Sequence, residues 1–68
     1  MATVSREWLI TARKNMNLTQ EEVADKLAIT RTTYARYETG ERTPTPAIAC
    51  EIEKFLGVKK EYFFWPPQ

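Results

Sequence analysis

Arginine is the residue through which this chain has most to offer chemically. Arg31, Arg36 and Arg42 stand close together in ITRTTYARYETGER, residues 29–42, interleaved with Thr30, Thr32, Thr33 and Thr39. A guanidinium is a permanently charged planar fork of N–H donors, matched to phosphate and carboxylate oxygens and to the paired acceptors on a guanine edge. The groups that make and break bonds are missing. The chain has no histidine and one cysteine, Cys50, so an intramolecular disulfide, a zinc finger, a haem ligand pair and a histidine-based acid/base pair are all excluded. Neither a metal-ligand cluster nor a glycine-rich phosphate loop is present, and Cys50 has no base nearby in sequence. No catalysis, metal or cofactor is expected, and recognition of an anion remains.

That anion must be met locally. Ten basic residues against nine acidic leave a formal charge of +1, which is no polycation that coats nucleic acid or lipid indiscriminately. With 68 residues, 43% apolar and 28% charged, the chain encloses one small core, a single domain over 1–68. The longest apolar runs, Ala47 to Cys50 and Tyr62 to Trp65, are far too short for a membrane span, and MATVSREW lacks a signal-peptide core. The expectation is a cytoplasmic protein with no membrane partner and no evident small-molecule ligand.

The elements that position the arginines are helices, since apolar residues recur at helical spacing and nothing alternates as a strand does. Ser5 is placed to cap a first helix over about 5–16 with a Leu9, Ala12 and Met16 stripe, Trp8 at one edge and Arg13 at the other. After a break at Asn15 to Asn17, Thr19-Gln20-Glu21-Glu22 reads as a capping box opening a helix over about 19–27, with Val23, Ala24 and Leu27 inward. Only Ala28 and Ile29 separate Leu27 from Thr30, the cap of a third helix over about 30–39 that stops at Gly40. Two short helices joined so tightly, a motif over about 19–39, point to DNA recognition. Thr45 and Pro46 start a fourth helix over about 45–56 with a stripe of Ile48, Ala49, Ile52, Phe55 and Leu56, Cys50 facing away with Pro46 and Lys54, and Gly57 as its stop. Residues 59–65 are expected to form a fifth, ended by Pro66 and Pro67, whose aromatics close the bottom of the core.

Turning the third helix through about 100° per residue separates its side chains cleanly. Arg31, Thr32, Ala35, Arg36 and Thr39 share one side, while Thr33, Tyr34, Tyr37 and Glu38 share the other. The first side carries no acid, and its alanine lets the helix lie close to a surface. Arginine in a major groove grips guanine O6 and N7, and threonine pairs polar edges or touches a thymine methyl. A solvated face with arginines chosen for solubility is the rival reading of the face taken alone.

The stretch LITARKNMNLTQEEVADKLAITRTTYARYETGERTP, with FLGV further on, resembles the lambda-repressor-like, Cro-type (xenobiotic-response-element type) helix-turn-helix family of DNA-binding transcriptional regulators. The match is most specific over Leu18 to Ala24, Ile29 to Thr33, Tyr37 to Gly40 and Leu56 to Val58. The resemblance implies an all-α, five-helix domain with its third helix as the reader, and among regulators a repressor. It implies base readout by Arg31, Thr32 and Arg36, and DNA backbone contacts by Gln20, which also braces the reading helix, by Thr30, which also caps it, and by Arg42. It also implies a structural pair, Arg13 and Glu38, linking the first and third helices. Four positions depart from the family pattern. Ala28 stands where a glycine is usual, so a positive φ there would strain it by about 1 kcal/mol. Tyr34 and Tyr37 replace aliphatic residues on the inner face, and Glu53 stands where a small apolar residue is common.

Because one short helix reads few bases, a homodimer on a two-fold-related double-stranded DNA operator is expected, with Phe64 and Trp65 as a dimer surface. The competing class is a protein-binding helix-turn-helix module, such as an antitoxin or antirepressor, docking through its YFFW end.

Overall fold

Each helix begins and ends where a local group takes over the backbone hydrogen bonds that the helix cannot satisfy itself. The structure, a computed structural model, describes residues 5–64. Helix α1 spans Glu7–Asn15, α2 Gln20–Leu27, α3 Arg31–Thr39 and α4 Pro46–Leu56, and a 3-10 turn covers Lys60–Phe63. The described residues contain no strand, so the fold is all-α.

Three expectations need correction. Ser5 does not cap α1. The N-cap position belongs to Arg6, which makes no side-chain cap, and the Arg6 N–H donates to the Glu38 carbonyl at 2.7 Å. That bond draws the chain onto α3 before α1 can start. Met16 leaves the apolar stripe and is 52% exposed, because α1 ends at Asn15 and Asn17 takes a left-handed φ of 58° that turns the chain away. The described part of the expected fifth helix is a single 3-10 turn, so the described residues hold four α-helices rather than five. Its bonds run from Tyr62 N–H to the Lys59 carbonyl and from Phe64 N–H to that of Glu61, both 3.0 Å, while the Glu53 carboxylate takes the Lys60 N–H at 3.3 Å. The tight spacing and the borrowed acceptor leave no α-helical turn.

The core is built from one face of every helix: Leu9 of α1, Val23, Ala24 and Leu27 of α2, Tyr34 and Tyr37 of α3, Ala49, Ile52 and Leu56 of α4, and Phe63. Burying one such aliphatic side chain contributes about 1.5–3 kcal/mol, which is how four short helices hold together. The two tyrosines meet edge to face at 6.4 Å, and Trp8 stands edge-on to Tyr62 at 5.4 Å and Phe63 at 5.0 Å, closing the lower end. Glu53 stays out of the core and ties α4 to the 3-10 turn through Lys60, whose Nζ is 3.6 Å from its carboxylate. Cys50 is half-buried at the edge. Among the described residues, no helix is long and apolar enough to cross a membrane.

Candidate nucleic-acid interface

The interface is assembled from α2, the turn after it, and α3. Thr19 Oγ1 accepts from the Glu22 N–H at 3.1 Å and the Glu22 carboxylate accepts from the Thr19 N–H at 2.9 Å, so α2 starts at one defined residue. The donated backbone N–H also holds the Glu22 carboxyl below its ordinary pKa. At the other end Ala28 takes a left-handed conformation, φ 58° and ψ 40°, and the Ile29 N–H returns to the Ala24 carbonyl at 3.0 Å. This reversal brings Thr30 into position three residues after Leu27. Thr30 Oγ1 accepts from the Thr33 N–H at 3.2 Å and donates to Thr33 Oγ1 at 2.9 Å, capping α3. Gly40, at φ 84°, ends α3, and the Arg42 N–H closes the following turn on the Arg36 carbonyl at 3.2 Å.

A buried polar lock holds α3 from behind. Glu38 is 2% exposed, yet its carboxylate is fully engaged: Arg13 Nε donates at 2.7 Å and Nη2 at 3.4 Å, and Gln20 Nε2 donates at 2.9 Å. Arg13 Nη1 also donates to the Leu18 carbonyl at 2.8 Å, so one side chain on α3 fastens α1, the α1–α2 loop and the start of α2. The bond to Glu38 holds the Arg13 guanidinium above its ordinary pKa. Beside the lock lies the Tyr34 hydroxyl, buried and with no hydrogen-bond partner in proper geometry. Burial first, and the Glu38 carboxylate second, raise its pKa far above the usual phenol range, so it stays protonated.

The front of α3 is different. Arg31, Thr32 and Arg36 are exposed, Ala35 and Thr39 half-buried, and Thr30 and Arg42 exposed at the two ends. Arg31 and Arg36 are five residues apart, about 7.5 Å along the axis, a spacing that fits within one major groove. Among the described residues, no acid pairs with Arg31, Arg36 or Arg42, whereas Arg13, Lys54 and Lys60 all have carboxylate partners. Gln20 is half-buried and gives one amide hydrogen to Glu38, which leaves a second that this bond does not use.

A model of the helix-turn-helix family matches residues 9–63, from Leu9 to the buried Phe63. The chain belongs to the helix-turn-helix family. Its lambda-repressor-like character, legible in residues 18–40, is in keeping with its relatives. It is 43% identical over 56 residues to an uncharacterized HTH-type transcriptional regulator, YqaE, of Bacillus subtilis, covering 82% of this chain and 48% of that protein. It is 46% identical over 48 residues to another, MJ0272, of Methanocaldococcus jannaschii, covering 71% of this chain and 73% of that one. A third relative, the cryptic phage CTXphi transcriptional repressor RstR of Vibrio cholerae, is 45% identical over 40 residues, 59% of this chain and 36% of the repressor. The chain thus spans about half the length of the first of these relatives and about a third of the last. No solved structure matches it significantly.

Within this helix-turn-helix, the departures at Ala28, Tyr34 and Tyr37 have distinct consequences. Ala28 does adopt the left-handed geometry and carries its strain. Tyr34 and Tyr37 both point into the core, with neither ring on the arginine face. Phe64 is 45% exposed, and Trp65 lies outside the described residues. One residue of the helix-turn-helix scaffold escapes sequence reasoning: Arg6, which bonds to the far end of α3 and the loop beyond it. Its signal was an arginine where a helix N-cap favours serine, threonine, aspartate or asparagine.

Proposed function

We propose that this chain binds double-stranded DNA in a sequence-specific manner as a transcriptional regulator, with α3 in the major groove. The observation that carries the reading is the row of exposed, unpaired arginines along α3 and its following loop, in a molecule whose charges otherwise nearly cancel. Arg31, Thr32 and Arg36 read base edges, each good arginine contact discriminating by about 1–3 kcal/mol. Thr30, Arg42 and Gln20 meet phosphates and set the register. The Arg13–Glu38 pair, with Gln20, fixes the angle at which α3 is presented. A family whose members are named HTH-type transcriptional regulators supports the class, and a relative named a transcriptional repressor supports repression as its direction.

The functional unit is a homodimer on a two-fold-related operator with half-sites about 34 Å apart, one turn of the duplex. Exposed Phe64, together with Trp65, supplies the seam. A cytoplasmic location follows from the need to reach chromosomal DNA. Selection of bound duplexes from a random pool tests all of this. The unaltered chain is expected to enrich a two-fold-related sequence with salt-sensitive affinity, and Arg31→Ala with Arg36→Ala to abolish the enrichment in a folded protein. Unchanged affinity and preference in that double variant would overturn base reading by α3.

A further inference from the structure

Arg6 makes a set of contacts that the DNA-facing surface does not use. Its Nη1 donates to the Tyr37 carbonyl at 2.7 Å and to the Arg42 carbonyl at 2.9 Å, and its Nη2 donates to Thr43 Oγ1 at 2.9 Å. Its own N–H holds the Glu38 carbonyl at 2.7 Å, and its guanidinium carbon lies 5.2 Å from the centre of the Phe63 ring. A cation sits well here, because the last carbonyls of α3 have no helical partner and carry the negative end of the helix dipole. The loop's other ties are local: Glu41, Arg42 and Thr43 are exposed, Pro44 after them is buried, and the loop's own bonds are Arg42 N–H to the Arg36 carbonyl, Glu41 N–H to Thr39 Oγ1 at 3.4 Å and Thr39 Oγ1 to the Glu41 carboxylate at 3.2 Å.

We infer that Arg6 is a positioning residue for DNA binding: by gripping the carbonyl of Arg42 itself, it holds the α3–α4 loop in the one conformation that aims the Arg42 side chain at a phosphate. The inference rests on the DNA-binding reading proposed above. The fork is essential, since three acceptors on two residues and a helix end must be reached at once. A lysine, a single point charge, keeps the attraction to the helix end but not the bridge.

The test combines amide hydrogen exchange without DNA and DNA affinity against salt in the full chain, on the duplex selected by that chain, for Arg6→Gln and Arg6→Lys, each with Arg42 present and in an Arg42→Ala background. With Arg42 present, both are expected to expose the Arg42 amide to faster exchange and weaken DNA binding about three- to tenfold. Both should also lower the slope of log affinity against log salt by about 0.9, the share of one phosphate contact. In the Arg42→Ala background the same substitutions are expected to change affinity less than about twofold. Arg6→Lys keeps the cation over Phe63 and at the helix end, so it carries the test if Arg6→Gln fails to fold. Equal losses in both backgrounds, or an unchanged salt slope, would overturn the positioning role while leaving DNA binding intact. An unaltered chain without salt-sensitive DNA binding would overturn the underlying reading, a result recognisable because it appears before any substitution.

Discussion

Removing the Glu38 carboxylate is the most informative single perturbation of this molecule. The side chain is 3% exposed and accepts hydrogen bonds at 2.7, 2.9 and 3.4 Å. In Glu38→Ala, the Arg13 guanidinium, 12% exposed, keeps only its bond to the Leu18 carbonyl and becomes an uncompensated charge in a largely dry site. Breaking a buried pair from one side costs about 3–5 kcal/mol. A domain of 68 residues has roughly 3–10 kcal/mol of stability in all, so the variant is expected at the edge of unfolding. Glu51→Ala is the control: its carboxylate is 46% exposed and 3.7 Å from Lys54, an arrangement worth less than about 1 kcal/mol. With a urea m-value of about 1 kcal/mol/M, the midpoint should fall by about 3 M or more for Glu38→Ala and by less than about 1 M for Glu51→Ala. Glu38→Gln keeps the shape and one acceptor and is expected between them, at a loss of about 2 kcal/mol. The joint replacement Arg13→Met with Glu38→Leu should cost less than Glu38→Ala alone, since it leaves no buried charge behind. Equal losses for Glu38→Ala and Glu51→Ala would refute the reasoning.

Ala28→Gly should stabilise the chain by about 0.5–1 kcal/mol by relieving a φ of 58°, raising the melting temperature by several degrees; a lowered one would show that the turn carries no strain. Tyr34→Phe removes a buried hydroxyl that lacks a partner, so urea unfolding should show stability unchanged or raised by up to about 1 kcal/mol, against a clear loss if the hydroxyl were bonded. The Glu22 carboxyl has a folded pKa below its unfolded one, so its contribution is full above the unfolded value and disappears as pH falls through the folded value. An NMR titration should show the Thr19 amide shift following Glu22 to a midpoint below that of a free glutamate, and Glu22→Gln should abolish that step.

Much of this architecture is written in short-range chemistry. Thr19, Thr30 and Thr45 cap helices, and Gly40 and Gly57 end them, because those roles are decided within four residues by a hydroxyl or a missing Cβ. The left-handed turn at Ala28 was legible only through the family resemblance, which places a glycine there. The periodicity of α3 separated arginines from tyrosines before any packing was known, since a helix turns by the same angle wherever it sits. Of three departures from that reading, two come from contacts between elements and one from a neighbouring residue. Ser5 was a plausible cap until the Glu38 carbonyl, 32 residues away in the chain, claimed the Arg6 N–H. Met16 fitted the stripe until Asn17 turned the chain, and the last helix tightened into a 3-10 turn because Glu53 of another element took the Lys60 N–H.

The sequence by itself determined where α2, α3 and α4 start and stop, and which face of α3 carries its arginines. Tertiary structure alone decided which cations are spent on the scaffold and which are left to solvent. Arg13 and Arg6 have the same fork as Arg31, Arg36 and Arg42, and only the fold delivers Glu38 to the first, the carbonyls of Tyr37 and Arg42 to the second and, among the described residues, no acid to the other three. The physical reason is that a guanidinium's role depends on the acceptors within about 3 Å of it, and chain distance does not predict those.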